Sequence, residues 1–325
     1  SSTCSKAVAR MLQIDFINVG YGDSVLIRDM DAPYAMLVDC GDVHVGRSRP
    51  DGLRMTAADY LRREAVETLD LLVLTHLHLD HAGGLAQLLP DIRVREFWTN
   101  YLPPEAIWGK QLAIPADWSA GARCLMQSMN IYLKALDRLR EQGTQIRLIT
   151  QTREHIQLTP QLKAGVYLEE ESLQRRQAEI WSAALSGSAR CEDLDVLDGF
   201  INNTSIRLRL SCEGADVELP GDVYAACWEK HSLSPCTVMK MPHHGHRDAL
   251  TPRLLEMLRP RYAVISVSDS RTDDCPSREV LEWLSRSGTA VLFTDAVSYP
   301  SEKSEPHRAV RFRFDKGRPA EILAV

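Results

Sequence analysis

Between Thr75 and Gly84 the chain reads THLHLDHAGG, which sets His76, His78, Asp80 and His81 within six positions, directly after the apolar run Leu71-Leu72-Val73-Leu74. Imidazole nitrogens and carboxylate oxygens are the donors of divalent-metal sites, and donors this dense read as a metal-binding loop rather than as separate surface residues. His76 and His78 stand two apart, so on extended backbone their rings point to one side and could share one ion. Asp80 and His81 follow where the loop must turn into a helix, and could serve a second. Gly83 and Gly84 would let the backbone turn sharply there.

Two ions need more donors than one loop offers, so isolated Asp or His residues are expected at other strand ends. VELPGDV places Asp222 after a strand and a Pro-Gly turn, where a carboxylate could bridge both ions. MKMPHHGHRD places His243 and His244 after another short apolar stretch, ahead of Gly245. Alone, a Gly-Asp turn is usually only a turn; beside the histidine cluster it becomes a candidate ligand. A pair of divalent ions about 4 Å apart would generate hydroxide near neutral pH and stabilise charge on the attacked group. The implied chemistry is hydrolysis without a Ser or Cys nucleophile, and the chain has no G-x-S-x-G elbow. A phosphodiester suits such a centre best, with His243, His246 or Arg247 neutralising the remaining charge; carboxylic esters, lactones and thioesters obey the same logic. Three imidazoles and two carboxylates suit zinc, and manganese tolerates the same donors.

The elements that must position these residues are legible as patterns. LQIDFINVG, SVLIR and YAMLVDCG alternate and end in turns, as a β-meander does. TAADYLRREAV reads as a helix with Thr56 as N-cap and Asp59 in the capping-box position. LDLLVLTH reads as a buried strand that delivers the histidines into a loop, and GGLAQLL opens the next helix. Residues 100–195 form a helix-rich insertion, with a long helix around MQSMNIYLKALDRLREQG, a strand-like IQLTP and a charged helix in EESLQRRQAEIWSAAL. Its position and the aromatics Trp98, Tyr101, Trp108 and Trp118 suggest a lid over the cleft. Strand signals resume at SIRLRLSC and VELPGD, then alternate with helices through TPRLLEMLRP, YAVISVS, SREVLEWLSRSG, AVLFTD and AVRFRFD. Two β-rich halves packed face to face with helices outside make a four-layer αββα sandwich, one domain over 1–325 carrying the insertion, with the site where the halves meet.

At 325 residues and 44% hydrophobic the chain can bury a substantial core. A net charge of −6 argues against a broad electrostatic grip on nucleic acid. No apolar run approaches the roughly 20 residues of a membrane helix. Eight scattered cysteines without a C-x-x-C pair read as reduced thiols, so a soluble cytoplasmic protein is expected, although the start at Ser1 leaves a processed or truncated N-terminus open. No oligomeric state follows from these patterns.

THLHLDHAGG matches the H-x-H-x-D-H signature of the metallo-β-lactamase superfamily. INVGYGDSVLI, LVDCG, NNTSIRLRL, LPGDV and MPHHG, in that order, resemble the hydrolase domain of the competence (DNA-uptake) membrane proteins and the bacterial phosphorylcholine esterases. The likeness runs from about Leu12 to Asp295, interrupted by the insertion. It implies His76 and His78 on a first metal, Asp80 and His81 on a second, Asp222 between them, and His244 on the second metal, which leaves His243 to touch substrate. Asp80 and His243 are then the catalytic candidates. Asp39 would brace the metal loop through hydrogen bonds, and Asp23, in the tight Tyr21-Gly22-Asp23 loop, would support structure.

The departures matter too. Many members carry another His between the cluster and the bridging Asp; here His155 lies in the insertion and INNTS stands in that place, which leaves an open or water-filled position on the first metal. Asn203 or Ser205 could then shape the pocket. After HHG, where the competence-like branch has Ser, this chain has His246 and Arg247, which could hold an anionic phosphate or simply decorate a solvated loop. The expected function is a metal-dependent phosphodiesterase. The alternatives are a nuclease acting on DNA or RNA and a non-catalytic, metal-stabilised binding protein; a diiron oxidoreductase lacks its carboxylate-rich ligands and a flavin region.

Overall fold

The computed structural model describes residues 11–46, 51–212, 214–267, 275–296, 305–315 and 321–325; Cys4 and the polar start at Ser1-Ser2-Thr3 lie outside them. Its strands are β1 Met11–Ile17, β2 Val25–Asp29, β3 Tyr34–Val38, β4 Thr68–Val73, β5 Arg93–Thr99, β6 Gln145–Leu148, β7 Arg153–Gln157, β8 Lys163–Tyr167, β9 Arg207–Cys212, β10 Ala215–Leu219, β11 Val238–Lys240, β12 Tyr262–Ile265, β13 Ala290–Phe293, β14 Ala309–Asp315 and β15 Glu321–Ala324. They form an eight-stranded sheet in the order β15-β14-β1-β2-β3-β4-β5-β6 and a seven-stranded sheet in the order β13-β12-β11-β10-β9-β8-β7.

Side-chain alternation explains why both sheets are buried on two faces. In β1, Leu12, Ile14 and Phe16 join Met36, Leu71, Val73, Leu208, Val217, Val264 and Phe312 in the layer between the sheets. Their neighbours of opposite parity face outward: Leu37, Leu72 and Phe97 pack under helices Ala57–Arg63 and Ala120–Glu141, and Met239, Ala263 and Ile265 pack under helices Pro252–Leu258 and Arg278–Ser287. The result is the four-layer αββα sandwich. Thr56 caps its helix by accepting from the Asp59 amide at 3.1 Å, while the Asp59 carboxylate accepts from the Thr56 hydroxyl instead of reaching a backbone N–H.

The stretch 100–195 contains the helices Ala120–Glu141 and Glu171–Leu185 and the start of Cys191–Asp198, but also β6, at the edge of the first sheet, and β7, at the edge of the second, with its neighbour β8. Short, half-exposed edge strands such as QIRL carry little period-two signal. The aromatics expected in a lid do not form one. Trp98 lies between the sheets, Tyr101 and Trp108 are buried in the layer behind the first sheet, and Trp118 packs on that layer's margin. None of the described helices is long and apolar enough to cross a membrane. No disulfide joins the described cysteines.

One buried ionic cluster ties the two ends of the chain. Asp15 on β1 accepts from Arg311 Nε and Nη2 on β14 at 2.7 and 2.8 Å and from the Tyr60 hydroxyl at 2.9 Å. β1 and β14 are antiparallel neighbours, so the pair clamps the sheet under its covering helix. Removing one partner of a buried pair leaves the other charge desolvated. Asp15→Ala should therefore lose about 3 kcal/mol in urea unfolding, near the lower end of the range for such losses because Glu64 remains 2.8 Å from Arg311.

Candidate metal centre

Sheet polarity brings the predicted residues together. β3 and β4 run parallel in one sheet, β10, β11 and β12 in the other. Asp39 follows β3, the segment 75–81 follows β4, Asp222 follows β10, and His243 and His244 follow β11. All four thus sit beyond the carboxyl ends of parallel strands, the usual ligand-binding edge of such sheets.

The imidazoles are oriented by their outer nitrogens. His76 Nδ1 lies 3.1 Å from the Thr75 hydroxyl and 3.1 Å from the Ser205 hydroxyl. His78 Nε2 meets Asp198 Oδ1 at 3.2 Å, His81 Nδ1 meets Asp39 Oδ2 at 2.8 Å, and His244 Nδ1 meets the Ser266 carbonyl at 3.3 Å. Each ring thereby turns its other nitrogen inward, the arrangement that fixes tautomer and direction in metal-ligating histidines. His76 Nε2 and His78 Nδ1 face each other at 3.1 Å. On the other side, His81 Nε2 is 3.2 Å from Asp222 Oδ2, and His244 Nε2 is 3.0 Å from Asp80 Oδ2 and 3.6 Å from Asp222 Oδ2. One ligand atom each from Asp80, His81, Asp222 and His244 lies within 4.8 Å of all the others. These donors fit divalent ions: two inward imidazole nitrogens at contact distance need a cation or proton between them, and the second group is a four-donor N/O set.

Charge supports the same fit. Asp23, Asp39 and Asp222 are buried and Asp80 nearly so, and the fixed cation found among them in the described residues is Lys240, 2% exposed and paired with Asp23 and, at 3.4 Å, with Asp222. Asp23 Oδ1 is a buried acceptor without a hydrogen-bond donor among the described residues. Burial works against ionisation of Asp222, but His81, Lys240 and His244 hold its carboxyl well below the usual range. Burial likewise opposes the protonation of His81, but Asp222, Asp39 and Asp80 raise it well above an ordinary imidazole. His76 is pushed the other way, by burial and by its two histidine neighbours. Such crowded carboxylates are stable in a protein interior when cations balance them.

Backbone strain marks the same loops. Asp39, His243 and His244 have φ of 59°, 45° and 53°, in the left-handed region that non-glycine residues rarely adopt. Asp39 holds its place by accepting from the Thr75 amide and hydroxyl, each at 2.8 Å, as well as facing His81. Gly83 and Gly84 are not sharp turns: their φ are −59° and −67°, within the helical range. They are needed for close approach, since a Cβ on Gly84 would lie 1.9 Å from the Cys40 carbonyl oxygen.

The remaining candidates divide. His243 Nδ1 is 2.7 Å from Asp248 Oδ1, and its amide donates to Asp222 Oδ1 at 3.0 Å. His246 stands beside it, with ring centroids 5.0 Å apart. Arg247 is largely exposed, its Nε 3.8 Å from Glu279. Asn203 uses its side-chain carbonyl to accept from the Tyr224 amide at 2.9 Å, bracing the loop after Asp222. His155 lines a separate cavity with Lys163, Tyr167 and Arg207. Sequence reasoning passed over Lys240, Asp198 and Asp248. A lysine closing the apolar strand directly before MPHHG was a readable signal; Asp198, at the end of a helix, gave none.

Residues 17–110 match the family model described as Metallo-beta-lactamase superfamily. ComE operon protein 3 of Bacillus subtilis (strain 168) is 24% identical over 295 residues, covering 87% of this chain and 32% of that protein, so the chain spans about a third of its relative's length. Among solved structures, the metallo-beta-lactamase fold protein YhfI from Bacillus subtilis aligns with a TM-score of 0.47 at 11% identity, covering 94% of this chain and 99% of that one. A diphosphatase from the PhnP family aligns with a TM-score of 0.42 at 12% identity, covering 95% and 99%. Over residues 17–110 the chain is thus similar to the metallo-beta-lactamase superfamily.

Proposed function

We propose that this protein is a metal-dependent phosphodiesterase. The observation that carries the reading is Asp222: one carboxylate oxygen, Oδ2, faces the inward nitrogens of His81 and His244, while Oδ1 is occupied by the His243 amide and Lys240. His76 Nε2 and His78 Nδ1 would hold one divalent ion, Asp80, His81 and His244 a second, and Asp222 would serve both. Zinc suits this donor set, and manganese tolerates it. Bound there, such a pair supplies Lewis acidity, making water a competent nucleophile near neutral pH and offsetting phosphate charge.

The protein's own residues then orient and exclude. Asp39 fixes the His81 ring, Ser205 and Thr75 fix His76, and Asp198 fixes His78, so the donors are set before anything binds. Tyr21 lies over His244 with centroids 4.2 Å apart and shields that side. His243, with Nδ1 turned to Asp248, has Nε2 as the ring atom available to a substrate oxygen. His246 stands next to it on the rim. Asp80, as ligand, and His243, as the group facing the leaving oxygen, are the catalytic candidates.

A nuclease is the second reading, favoured by the 24% identity to ComE operon protein 3 and by the motifs shared with DNA-uptake hydrolase domains. Turnover of bis(p-nitrophenyl) phosphate with indifference to single-stranded DNA supports the first reading; DNA cleavage that falls steeply with salt supports the second. In either case Asp80→Asn and His78→Ala should lower kcat/KM by at least about 100-fold, beyond the range typical for loss of an outer partner of a metal ligand. Full activity in both variants on every phosphodiester tested would end the reading.

Asp198 gives a separate check, on metal affinity. Asp198→Ala frees the His78 ring to rotate, and competitive chelator titration should show about 10–100-fold weaker binding of one ion only. Equal weakening of both ions, or of neither, would detach Asp198 from His78.

A further inference from the structure

The segment from His243 to Asp248 holds a second donor cluster, distinct from the metal ligands assigned above. His243, His246 and Asp248 each present one ligand atom within 4.8 Å of the other two. Asp248 lies between the imidazoles, with Oδ1 2.7 Å from His243 Nδ1 and Oδ2 3.4 Å from His246 Nδ1. His246 Nδ1 is shielded from solvent and makes no hydrogen bond among the described residues, although a carboxylate oxygen stands this close. A buried ring nitrogen without a hydrogen bond is costly in a protein that otherwise satisfies such atoms.

From these observations we propose a third divalent-cation site on the rim of the main centre, held by His243, His246 and Asp248. Two imidazoles and one carboxylate are the donor set of open zinc sites, in which solvent or substrate completes the shell. Metal–ligand bonds near 2.1 Å in a tetrahedral shell keep donor atoms roughly 3.4 Å apart, the spacing found between His246 and Asp248. An anion is the weaker occupant, because it would meet the Asp248 carboxylate at the centre of the cluster.

The backbone is built to hold these three side chains together. The His246 amide donates to the His243 carbonyl at 2.8 Å and the Ala249 amide to the His246 carbonyl at 2.9 Å, wrapping the segment into successive turns. The Asp248 carbonyl accepts from the Ala225 amide at 2.9 Å, and the Tyr224 ring lies 5.3 Å from that of His243. Gly245, with φ of 74°, allows the chain past Pro276, where a Cβ would approach to 2.8 Å. The side chains of His243, His246 and Asp248 are 22%, 39% and 34% exposed, so solvent reaches the cluster.

The site is contiguous with the main centre. The His243 ring centroid is 6.4 Å from that of His244, and the His243 amide binds Asp222. A rim cation there would add positive charge where a phosphate substrate enters, and its nearness to two other cations makes it the weakest bound of the three.

The test is metal stoichiometry with Zn²⁺ alone, on chelator-stripped full chain of confirmed circular dichroism. Wild type should bind one equivalent more than both His246→Ala and Asp248→Asn, and with Co²⁺ the variants should lack one set of visible absorption bands. The readout is the difference between wild type and variants, so it stands apart from the total: a wild type binding one equivalent or none would count against the main centre instead. Equal stoichiometry in wild type and both variants overturns the proposal. Loss of more than one equivalent also overturns it, because the residues would then belong to the main centre.

Discussion

Asp222 and the carboxylates around it set the terms for the whole molecule. Asp23, Asp39 and Asp222, buried, and Asp80, nearly so, are held together at one end of the sandwich with Lys240 beside them. Like charges in a poorly solvated space repel strongly, so the arrangement exists only because the surrounding framework holds it and because cations can balance it. The strained φ angles of Asp39, His243 and His244 fall at the same place. Strain and charge are both borne by the site, and the two sheets supply the stability that tolerates them.

That framework is a matter of strand direction. Each contributing loop follows a strand in a parallel pair, so the carboxyl ends of both sheets empty their loops on one edge. Side-chain parity does the rest: Leu71 and Val73 fill the space between the sheets while Leu72 packs under helices, which fixes the rotation of β4 and so the direction in which His76 leaves it. A one-residue slip in β4 would exchange those faces and carry the histidines away. The rigidity of the site is thus inherited from hydrophobic packing that never touches it.

Much of this was legible in the chain. The meander β1 to β3, the Thr56 cap, β4 and the alternating second half follow from periodicity, and the density of donors in THLHLDHAGG marked the metal loop before any contact was known. β5, β6, β8 and β15 were not read. Short edge strands are stabilised by neighbours rather than by their own pattern, and β5 starts in alternation at Arg93-Val94-Arg95 but loses it in the consecutive buried run Phe97-Trp98-Thr99. Of the aromatics that suggested a cover, Trp98, Tyr101 and Trp108 are core residues, which is where large aromatic side chains gain most.

By itself, the sequence determined the kinds of donor, their grouping into loops and the strands that precede them, because these are local properties set by a few neighbouring residues. Tertiary structure decided which atoms meet. His81 and Asp222 are 141 positions apart, and only strand order and register put them 3.2 Å from each other. The same holds for the choice of ring nitrogen: Asp198, Asp39, Ser205 and the Ser266 carbonyl each claim one nitrogen and turn the other inward, and of the partners only Thr75, which shares His76 Nδ1 with Ser205, lies next to its histidine in the chain. Hydrogen bonds are directional and short-ranged, so their pattern is settled only when distant segments have been packed to within a fraction of an ångström.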